Sequence, residues 1–331
     1  MAAPVPAPIL LSPANGINTD NNSPTFDWEN TQRADDFRFQ LDNDENFTST
    51  LIDIVIVQSN YSPAPLGDNL YYWRVRMTRS GQIGAWSQTW TIRVDTLDPS
   101  IPSILSPDNG VWTTATPNLD WENVAENSLP VTYYVTISDN QAFPYENENS
   151  GWITSDNWVV TPALPDGTWY WRVKARDNAG NESGWSENRM IMADSTPPTQ
   201  VSLFTPENNL ELPVGTVEFK WTGATDVGSG FARYWIQIDN EPDFSSPFYH
   251  ENPNVSENTY YFLLTTGMYY WRVRAVDNVG NLGAWADNFR LFQRKWWAVE
   301  NWGGKVTAPV TIGWIDVEKW AATVQGMTAA W

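Results

Sequence analysis

The chain has 331 residues, of which 39 are acidic and 19 basic, giving a formal net charge of −20. This charge argues against nucleic acid and against anionic membranes as partners, because both bind surfaces rich in Lys and Arg. The chain has no cysteine and one histidine, His250, which excludes disulfides and cysteine metal sites and argues against histidine triads and zinc sites.

The ends of the chain carry little targeting information. No apolar run approaches the roughly 18 residues of a membrane-spanning helix, so no membrane insertion is predicted for this segment. The first residues lack the basic and apolar regions of a signal peptide. The last residue, Trp331, falls inside a repeat, and we expect the chain to be a segment of a longer protein.

Three stretches of about a hundred residues repeat the same order of elements. Each opens with a Pro-flanked strand, followed by a strand that carries one Trp and by a run that ends in Asp-Asn with a Phe shortly after it. The Trp strands are PTFDWEN (24–30), PNLDWEN (117–123) and VEFKWTG (217–223). The Asp-Asn runs are FRFQLDN (37–43), YYVTISDN (133–140) and YWIQIDN (234–240), followed by Phe47, Phe143 and Phe244.

Each stretch continues with an aromatic–basic string and ends on a short Trp motif. The strings are YYWRVR (71–76), WYWRVK (169–174) and YYWRVR (269–274), and the motifs are GAWS (84–87), SGWS (183–186) and GAWA (283–286). Apolar and polar residues alternate strictly in the strings, which predicts strands with one buried face. DNAGN (177–181) and DNVGN (277–281) are typical of turns.

About seven short strands per repeat, with turn signals between them and no helical period, predict an all-β fold of three tandem β-sandwiches. The predicted domains are residues 1–97, 98–196 and 197–294, and a Trp-rich tail occupies 295–331. One Trp from each Trp strand and one from each string should lie in the cores. These residues are Trp28, Trp73, Trp121, Trp171, Trp221 and Trp271.

The motifs from residue 8 to residue 294 resemble fibronectin type III and related bacterial immunoglobulin-like modules. LPDGTWYWRVKARDNAGNESGWS (164–186) is similar to the sixth strand, hairpin and seventh strand of that family. The resemblance implies a tyrosine whose hydroxyl fixes a corner of the fold, and Tyr71 and Tyr269 match it. The second repeat has Trp169 there, which cannot form this hydroxyl bond. Such modules serve adhesion, spacing and ligand binding alike.

The basic residues of the strings lie on the outward face of the sixth strand, where they form either a partner-binding patch or a structural stack. We expect the following strand to bring a Trp alongside them, so that each cation stacks on an indole. The pattern resembles a shortened form of the Trp–Arg ladder in cytokine-receptor modules. The residues are Arg74, Arg76 and Trp86; Arg172, Lys174 and Trp185; and Arg272, Arg274 and Trp285.

Calcium is the one cofactor that the acidic residues suggest, and none is required by the sequence. LDNDEN (41–46), DNQ (139–141) and DNEPD (239–243) place carboxylates at turns, and Asp95, Asp98 and Asp194 lie where the repeats join. Side-chain caps at hairpin turns explain the same residues without a metal. No phosphate loop, nucleophile elbow or metal-binding helix is present, so we expect no catalytic or metal residues.

Four Trp residues have no counterpart at the same place in all three repeats, so the fold does not require them. They are Trp90, Trp112, Trp152 and Trp158. Exposed indoles bind sugars by stacking, and half-buried packing is the alternative for each. These residues are therefore candidate glycan contacts.

The tail is neutral, with three Lys against three acidic residues. WAVENWGGKVTAP (297–309) aligns with IDVEKWAATVQGM (315–327), an 18-residue repeat that resembles the Trp-rich repeats of large archaeal and bacterial surface proteins. A lone hairpin is marginal in water, so the tail either folds back or adds strands to a neighbouring chain. Its candidate assembly residues are Trp296, Trp297, Trp302, Trp314, Trp320 and Trp331.

The sequence therefore predicts a non-catalytic structural or adhesion segment of an extracellular surface or filament protein. Its expected partners are other copies or neighbouring subunits of a surface assembly, reached through strand addition by the tail. The alternative is a set of carbohydrate-binding accessory modules in a secreted polysaccharide hydrolase, with polysaccharide as the partner.

Overall fold

The structure, a computed structural model, describes residues 4–30, 33–245, 249–297 and 315–316. Every regular element in these ranges is a β-strand, which confirms the predicted all-β fold. None of the described residues forms a helix long and apolar enough to cross a membrane.

The first repeat forms a three-stranded sheet and a six-stranded sheet. The three-stranded sheet has the order β1-β3-β6, and the larger sheet has the order β2-β9-β7-β4-β5, with β8 paired to β7. The strands are β1 (Leu10–Ser12), β2 (Ile17–Thr19), β3 (Phe26–Trp28), β4 (Asp36–Asp42), β5 (Ile52–Ile56), β6 (Asn60–Tyr61), β7 (Asn69–Arg79), β8 (Gln82–Ile83) and β9 (Trp90–Val94).

The second repeat forms a sheet of the order β10-β12-β15 and a five-stranded sheet of the order β11-β17-β16-β13-β14. The strands are β10 (Ile104–Ser106), β11 (Val111–Thr114), β12 (Asn118–Trp121), β13 (Thr132–Ser138), β14 (Glu148–Ile153), β15 (Asn157–Val159), β16 (Gly167–Arg176) and β17 (Arg189–Asp194). The two orders match those of the first repeat strand for strand, apart from the extra β8.

The third repeat has the same two sheets, β18-β20-β23 and β19-β25-β24-β21-β22. Its strands are β18 (Leu203–Thr205), β19 (Leu210–Pro213), β20 (Gly215–Trp221), β21 (Phe231–Asp239), β22 (His250–Val255), β23 (Thr259–Leu264), β24 (Gly267–Asp277) and β25 (Phe289–Arg294). The predicted aromatic–basic strings lie in β7, β16 and β24.

Alternation along these strands builds the cores. In β7, Tyr71, Trp73, Val75 and Met77 are buried while the residues between them are half-buried. The six predicted core Trp residues are at most 1% exposed. In the first sandwich, Trp73 packs edge-on against Phe26 with ring centroids 4.9 Å apart. Burying each large aromatic side chain stabilises a core by about 1.5–3 kcal/mol.

The chain leaves the small sheet and joins the large one just after the first strand of each repeat. In the first and third sandwiches the joining strand is parallel to the last strand: β2 pairs with β9, and β19 pairs with β25. The turn before it needs a left-handed residue. Gly16 and Gly110 occupy it with φ of +80° and +79°, and Asn209 adopts +68° in the third repeat, because Asn tolerates this region better than most side chains.

The chain separates into two compact units. Unit 1 is Met1–Val111, Thr116–Ala163 and Thr168–Ile191, and unit 2 is Trp112–Ala115, Leu164–Gly167 and Met192–Trp331. In the tail, β26 (Trp296–Trp297) pairs antiparallel with β27 (Ile315–Asp316). The other predicted assembly residues, Trp302, Trp314, Trp320 and Trp331, lie outside the described residues.

Candidate functional site

The basic residues of β7 stack on aromatic rings on the outward face of the first sandwich. The guanidinium carbon of Arg74 lies 3.9 Å from the Phe47 ring centroid and 4.4 Å from that of Trp86. Arg76 lies 4.6 Å from Trp86. Burial between the two rings lowers the pKa of Arg74, and the nearby charge of Arg76 lowers it further. Arg74 also donates to Gln40 at 2.9 Å, so its position is fixed by packing and hydrogen bonding together.

The second sandwich repeats this stack and extends it. Arg172 lies between Phe143 at 4.1 Å and Trp185 at 4.2 Å. The ammonium of Lys174 is 5.0 Å from Trp185 and forms an ion pair of 2.6 Å with Glu182. Two residues further along β16, on the same face, Arg176 stacks on Trp152 at 4.0 Å. Trp152 is paired with Tyr134 of β13, which places its ring on this face.

The third sandwich has the same arrangement with two guanidinium groups. Arg272 lies between Phe244 at 4.0 Å and Trp285 at 4.5 Å. Arg274 lies between Trp285 at 4.4 Å and Trp235 at 4.0 Å. Burial lowers the pKa of both arginines. All three sets of cations and Trp residues named from the sequence are thus brought together.

The Trp of each motif is not on the strand where the sequence placed it. Trp86, Trp185 and Trp285 lie in irregular segments that precede the last strand. These segments still bond to β7 and β16 through the backbone, as in Ser87 N to Val75 O at 2.8 Å and Ser186 N to Val173 O at 2.8 Å. The bonded residue follows the Trp directly, which holds the indole beside the basic side chains.

Sequence reasoning missed the Phe residues that complete the stacks. Phe47, Phe143 and Phe244 each have a left-handed backbone, with φ between +50° and +56°. This conformation is uncommon for a bulky side chain, and it occurs here at one equivalent position in all three repeats. The signal was visible in the sequence as a Phe at a nearly fixed distance after Asp-Asn.

The serine of the Trp-Ser motif has a structural role in two sandwiches. Ser87 Oγ accepts the Val75 amide at 3.0 Å, and Ser186 Oγ accepts the Val173 amide at 3.0 Å. Each hydroxyl also donates to the carbonyl of the next residue. The third motif has Ala286 at this position, so this side-chain bond cannot form there.

A second group of polar contacts surrounds the segment that leads out of the first sandwich, and we call it linker site 1. It consists of Asp95, Ser128, Asp177 and Asn181. Asp177 Oδ1 accepts the amides of residues 179–181 at 2.7–3.0 Å. Asn181 is held by Asp177 Oδ2 at 2.8 Å and donates to the Asp95 carbonyl at 2.8 Å. The buried Ser128 hydroxyl donates to Asp95 Oδ2, which satisfies this carboxylate.

The equivalent contacts in unit 2 form linker site 2, made of Asp194, Asp226, Ser229, Asp277 and Asn281. Asp277 Oδ1 accepts the amides of residues 279–281 at 2.7–3.0 Å, and Asn281 donates to the Asp194 carbonyl at 3.1 Å. The loop around Asp277 therefore reproduces the loop around Asp177.

Linker site 2 differs in how the Asp194 carboxylate is surrounded. Its Oδ2 accepts the Ser229 amide at 2.6 Å instead of a hydroxyl. Gly228 passes so close that a Cβ atom at this position would overlap the carboxylate. Asp226 adds a third carboxylate, and one oxygen from each of Asp194, Asp226 and Asp277 lies within 4.8 Å of the others.

The tyrosine corner implied by the resemblance forms in the first sandwich. The buried Tyr71 hydroxyl donates to the Gly67 carbonyl at 2.8 Å, and burial raises the pKa of Tyr71. Tyr269 of the third sandwich is bonded to the Thr265 hydroxyl at 3.1 Å instead of a backbone carbonyl. Trp169 is buried at the same place in the second sandwich.

Comparison with known proteins gives matches among solved structures. The chain is similar to the FN1–FN3 domains of chicken contactin CNTN1, with 14% identity over 88% of this chain and 100% of that chain and a TM-score of 0.43. It is also similar to fibronectin(III)-like modules of Clostridium thermocellum CbhA, with 16% identity over 59% of this chain and 95% of that chain and a TM-score of 0.39. No protein-family model matches the chain, and no curated protein matches it significantly.

The strand order of the chain itself defines the fold. Three pairs of sheets with the same order, and the Tyr71 bond in the first pair, fit tandem fibronectin type III-like domains. Each repeat is a β-sandwich of two sheets with one common strand order.

The four candidate glycan-contact residues differ in exposure. Trp112 on β11 is 39% exposed, whereas Trp90, Trp152 and Trp158 are half-buried. Trp90 packs edge-on against the core Trp73 at 5.8 Å, and Trp152 belongs to the stack of the second module. Their role toward sugars stays a prediction, and Trp112 has the most accessible ring of the four.

The acidic turns named as calcium candidates cap their own backbone. Asp44 accepts amides and the hydroxyl of Thr48, and the hydroxyl bond to Thr48 is the main reason why the pKa of Asp44 is lowered. Asp139 and Asp239 belong to the two equivalent turns, and Asp98 is exposed. Among the described residues, the acidic group close enough to share one metal ion is that of linker site 2.

Proposed function

We propose that the chain is a non-catalytic structural or adhesion segment of an extracellular surface or filament protein. The strongest support is that the basic side chains on the outward face of each module stack on aromatic rings of the same module. Arg74, Arg172 and Arg272 each lie between two aromatic rings at 3.9–4.5 Å. A guanidinium that is stacked on both faces stabilises the sheet and offers little of its surface to a substrate.

The remaining polar clusters support the same proposal. Their side chains form hydrogen bonds to backbone groups, as in the serine motif, the tyrosine corner and the Asp177 loop of linker site 1. Bonds of this kind fix turns and strand ends. A catalytic centre instead needs an acid, base or nucleophile that is free to reach a substrate.

Self-association by strand addition is the proposed mechanism, with the tail of one copy pairing with a free sheet edge of another. Two edge strands suit this. In β23, Tyr261 is 60% and Leu263 is 64% exposed, and Val55 in β5 is 62% exposed. An edge strand with exposed apolar side chains is a template for a further strand. The tail is neutral while the whole chain carries −20, so the tail avoids the repulsion between acidic modules.

Sedimentation velocity of the full chain and of a variant without residues 295–331 tests this mechanism. We expect concentration-dependent oligomers for the full chain and a monomer for the shortened one, with unchanged circular dichroism of the modules. Leu263→Lys in the full chain should weaken association, because a charge on an edge strand opposes pairing. Val227→Lys, at a residue 97% exposed and outside the strands, is the matched control. A full chain that stays monomeric at all concentrations overturns the mechanism.

The alternative, a carbohydrate-binding accessory segment of a secreted polysaccharide hydrolase, is favoured by the exposure of Trp112. It predicts that insoluble polysaccharides retain the chain in a pull-down and that Trp112→Ala or Trp158→Ala abolishes retention. Leu129→Ala, at an exposed aliphatic residue, should leave retention intact. Equal retention of all variants would argue against the indoles as the contact.

A further inference from the structure

We propose that linker site 2 binds one calcium ion through the carboxylates of Asp194, Asp226 and Asp277, with the Ser229 hydroxyl beside them. This proposal concerns residues of unit 2 alone and does not depend on the proposed function. Its basis is the geometry of the three carboxylates, the absence of a counter-charge, and two buried oxygen atoms that lack a partner.

The carboxylate spacing is that of a calcium coordination shell. One oxygen from each of the three aspartates lies within 4.8 Å of the other two. Calcium binds oxygen at about 2.3–2.6 Å, so two ligands on opposite sides of the ion are about 4.6–5.2 Å apart. The three oxygen atoms can therefore contact one ion without large movement of the backbone.

No cationic side chain among the described residues neutralises the site, whose carboxylates accept N–H hydrogen bonds instead: four at Asp277, two at Asp194 and one at Asp226. Asp194 and Asp277 are 0% exposed. In the part of the chain that the structure describes, no Lys or Arg forms an ion pair with any of the three aspartates. Three carboxylates this close repel each other strongly where water is excluded. A bound divalent cation removes this repulsion and replaces the lost hydration.

Two buried oxygen atoms at the site have no hydrogen-bond partner. They are Oδ2 of Asp226 and Oγ of Ser229. Ser229 is only 8% exposed, and its amide donates to Asp194 Oδ2 at 2.6 Å. The hydroxyl belongs to the residue whose amide contacts the Asp194 carboxylate, and it forms no hydrogen bond of its own. A buried polar atom without a partner is costly, and metal coordination satisfies it.

The chemistry of the donors selects calcium among the common metals. All candidate ligands are oxygen atoms, which hard cations prefer, and zinc sites in proteins are instead built mainly from Cys and His. Magnesium requires near-ideal octahedral geometry at about 2.0–2.1 Å, whereas calcium accepts irregular shells of six to eight oxygens. Three aspartates on separate segments, with water in the remaining positions, match calcium better.

Linker site 1 provides an internal contrast. There the Ser128 hydroxyl donates to Asp95 Oδ2, whereas at linker site 2 the Ser229 amide donates to Asp194 Oδ2 and the Ser229 hydroxyl has no partner. Glu126, which precedes Ser128 as Asp226 precedes Ser229, accepts the amide of its neighbour Asn127 at 2.6 Å. Asp95 and Asp177 are thus not joined by a third carboxylate, and no cation is expected at linker site 1.

Calcium titration of the full chain tests the proposal, with isothermal calorimetry for binding and thermal unfolding in EDTA, CaCl2 or MgCl2 for stability. We expect one calcium site per chain and an unfolding midpoint that rises in CaCl2 more than in MgCl2. Hydrogen exchange should show slower exchange of residues 192–199 and 226–230 with calcium, because the ion connects these segments to Asp277.

Asp226→Asn is the decisive variant, with Glu126→Gln as its counterpart at linker site 1. Asp226→Asn should be at least as stable as the wild type in EDTA, because it removes one of three like charges. Its calcium affinity should fall about tenfold or more, since affinity follows the charge of the ligand set. Glu126→Gln should bind calcium as the wild type does.

The combination of unchanged or higher stability in EDTA with lost calcium response separates a ligand from a merely structural residue. A wild-type chain whose midpoint and heat of titration do not respond to calcium overturns the proposal. So does an Asp226→Asn variant that binds calcium with wild-type affinity. If Asp226→Asn fails to fold, as seen by circular dichroism in EDTA, Asp226 has a structural role instead, and the proposal is also overturned.

Discussion

Linker sites 1 and 2 share one scaffold and differ in the contact that completes it. In both, an aspartate where β16 or β24 ends accepts three consecutive amides, and an asparagine four residues later bonds to the backbone of the linker. Linker site 1 is completed by the hydroxyl of Ser128. Linker site 2 is completed by an amide and a third carboxylate, that of Asp226.

This difference shows that one repeated loop can be joined by different side chains in two modules. The loop that is common to both sites is fixed by bonds inside the module. The side chains that approach it from the preceding loop differ between the two sites: Glu126 and Ser128 in one, Asp226 and Ser229 in the other. At the first linker aspartate, Asp95, the added contact is a hydroxyl hydrogen bond. At the second, Asp194, it is a cluster of carboxylates.

The largest effect is expected from removing the shared aspartate. Asp177→Ala leaves three amides of the 179–181 turn without their acceptor, and we expect a loss of about 3 kcal/mol or more. Asp277→Ala should cost less in EDTA, because it also removes one of three neighbouring negative charges. Chemical denaturation measures the loss of stability in each variant, and hydrogen exchange of each loop shows where the loss occurs. Equal losses would mean that the carboxylates of linker site 2 do not repel one another.

The next effect concerns the close approach of Gly228 to Asp194. A Cβ atom there would overlap the carboxylate, so Gly228→Ala should displace the loop and cost about 1–3 kcal/mol. Gly223→Ala is the matched control, since a Cβ atom at Gly223 meets nothing within 4 Å. Equal unfolding midpoints for Gly228→Ala and Gly223→Ala would mean that the close approach of Gly228 to Asp194 does not affect stability.

The serines at the two sites should respond differently to the same substitution. Ser128→Ala removes the donor to the buried Asp95 carboxylate and should cost about 1–3 kcal/mol. Ser229→Ala removes a hydroxyl that has no partner and should be nearly neutral without calcium. Urea unfolding in EDTA gives both values. A large loss for Ser229→Ala would indicate that its hydroxyl is bonded in solution.

The smallest effect is a pH dependence restricted to the third module, which carries the one histidine of the chain. His250 stacks on Phe262 at 3.9 Å and lies 2.7 Å from the Tyr260 hydroxyl. Burial lowers the pKa of His250, against a smaller opposite effect of Glu251. The folded pKa is below the unfolded value, so the unfolded state binds the proton more readily.

Stability of the third module should therefore be constant above the unfolded pKa of about 6.5 and decrease as the pH falls below it. The midpoint of this module between about pH 7.5 and 5.5 checks the prediction. His250→Gln should flatten the profile, and the first two modules, which have no histidine, should not show it. A profile that keeps its slope in His250→Gln would assign the effect to the carboxylates.

Much of the fold could be predicted because alternation and repetition are local signals. The period of two in YYWRVR places Tyr71, Trp73 and Val75 in the core and leaves Arg74 and Arg76 outside, and the structure has this arrangement. The predicted domain boundaries stay a prediction, since the two compact units divide the chain differently.

The partners of the outward arginines were only half predictable. Trp86 follows shortly after β7, so its approach to Arg74 could be foreseen, although it lies in an irregular segment and not on the next strand. Phe47 reaches Arg74 because its backbone is left-handed, which no propensity favours for Phe. Trp152 was considered for sugar contact because it is not repeated, yet strand register places it beside Arg176.

Linker site 2 was recognised only through Asp194. Asp226 and Asp277 come from separate loops, and only the folded sheets bring their carboxylates together with that of Asp194. The aligned residue Glu126 has the same charge as Asp226 and takes part in no such cluster. The two loops differ in this side chain and by one residue, and the sequence alone does not show that only one of them brings its carboxylate to the linker.

The parallel pairing of β2 with β9, and of β19 with β25, determines how these modules carry tension. The chain enters and leaves the larger sheet in the same direction along two adjacent strands. A force applied to the two ends of the module therefore pulls these strands past one another. The hydrogen bonds between them are loaded in shear and share the load, instead of opening one after another. This pairing gives each module mechanical resistance at the points where the chain enters and leaves the fold.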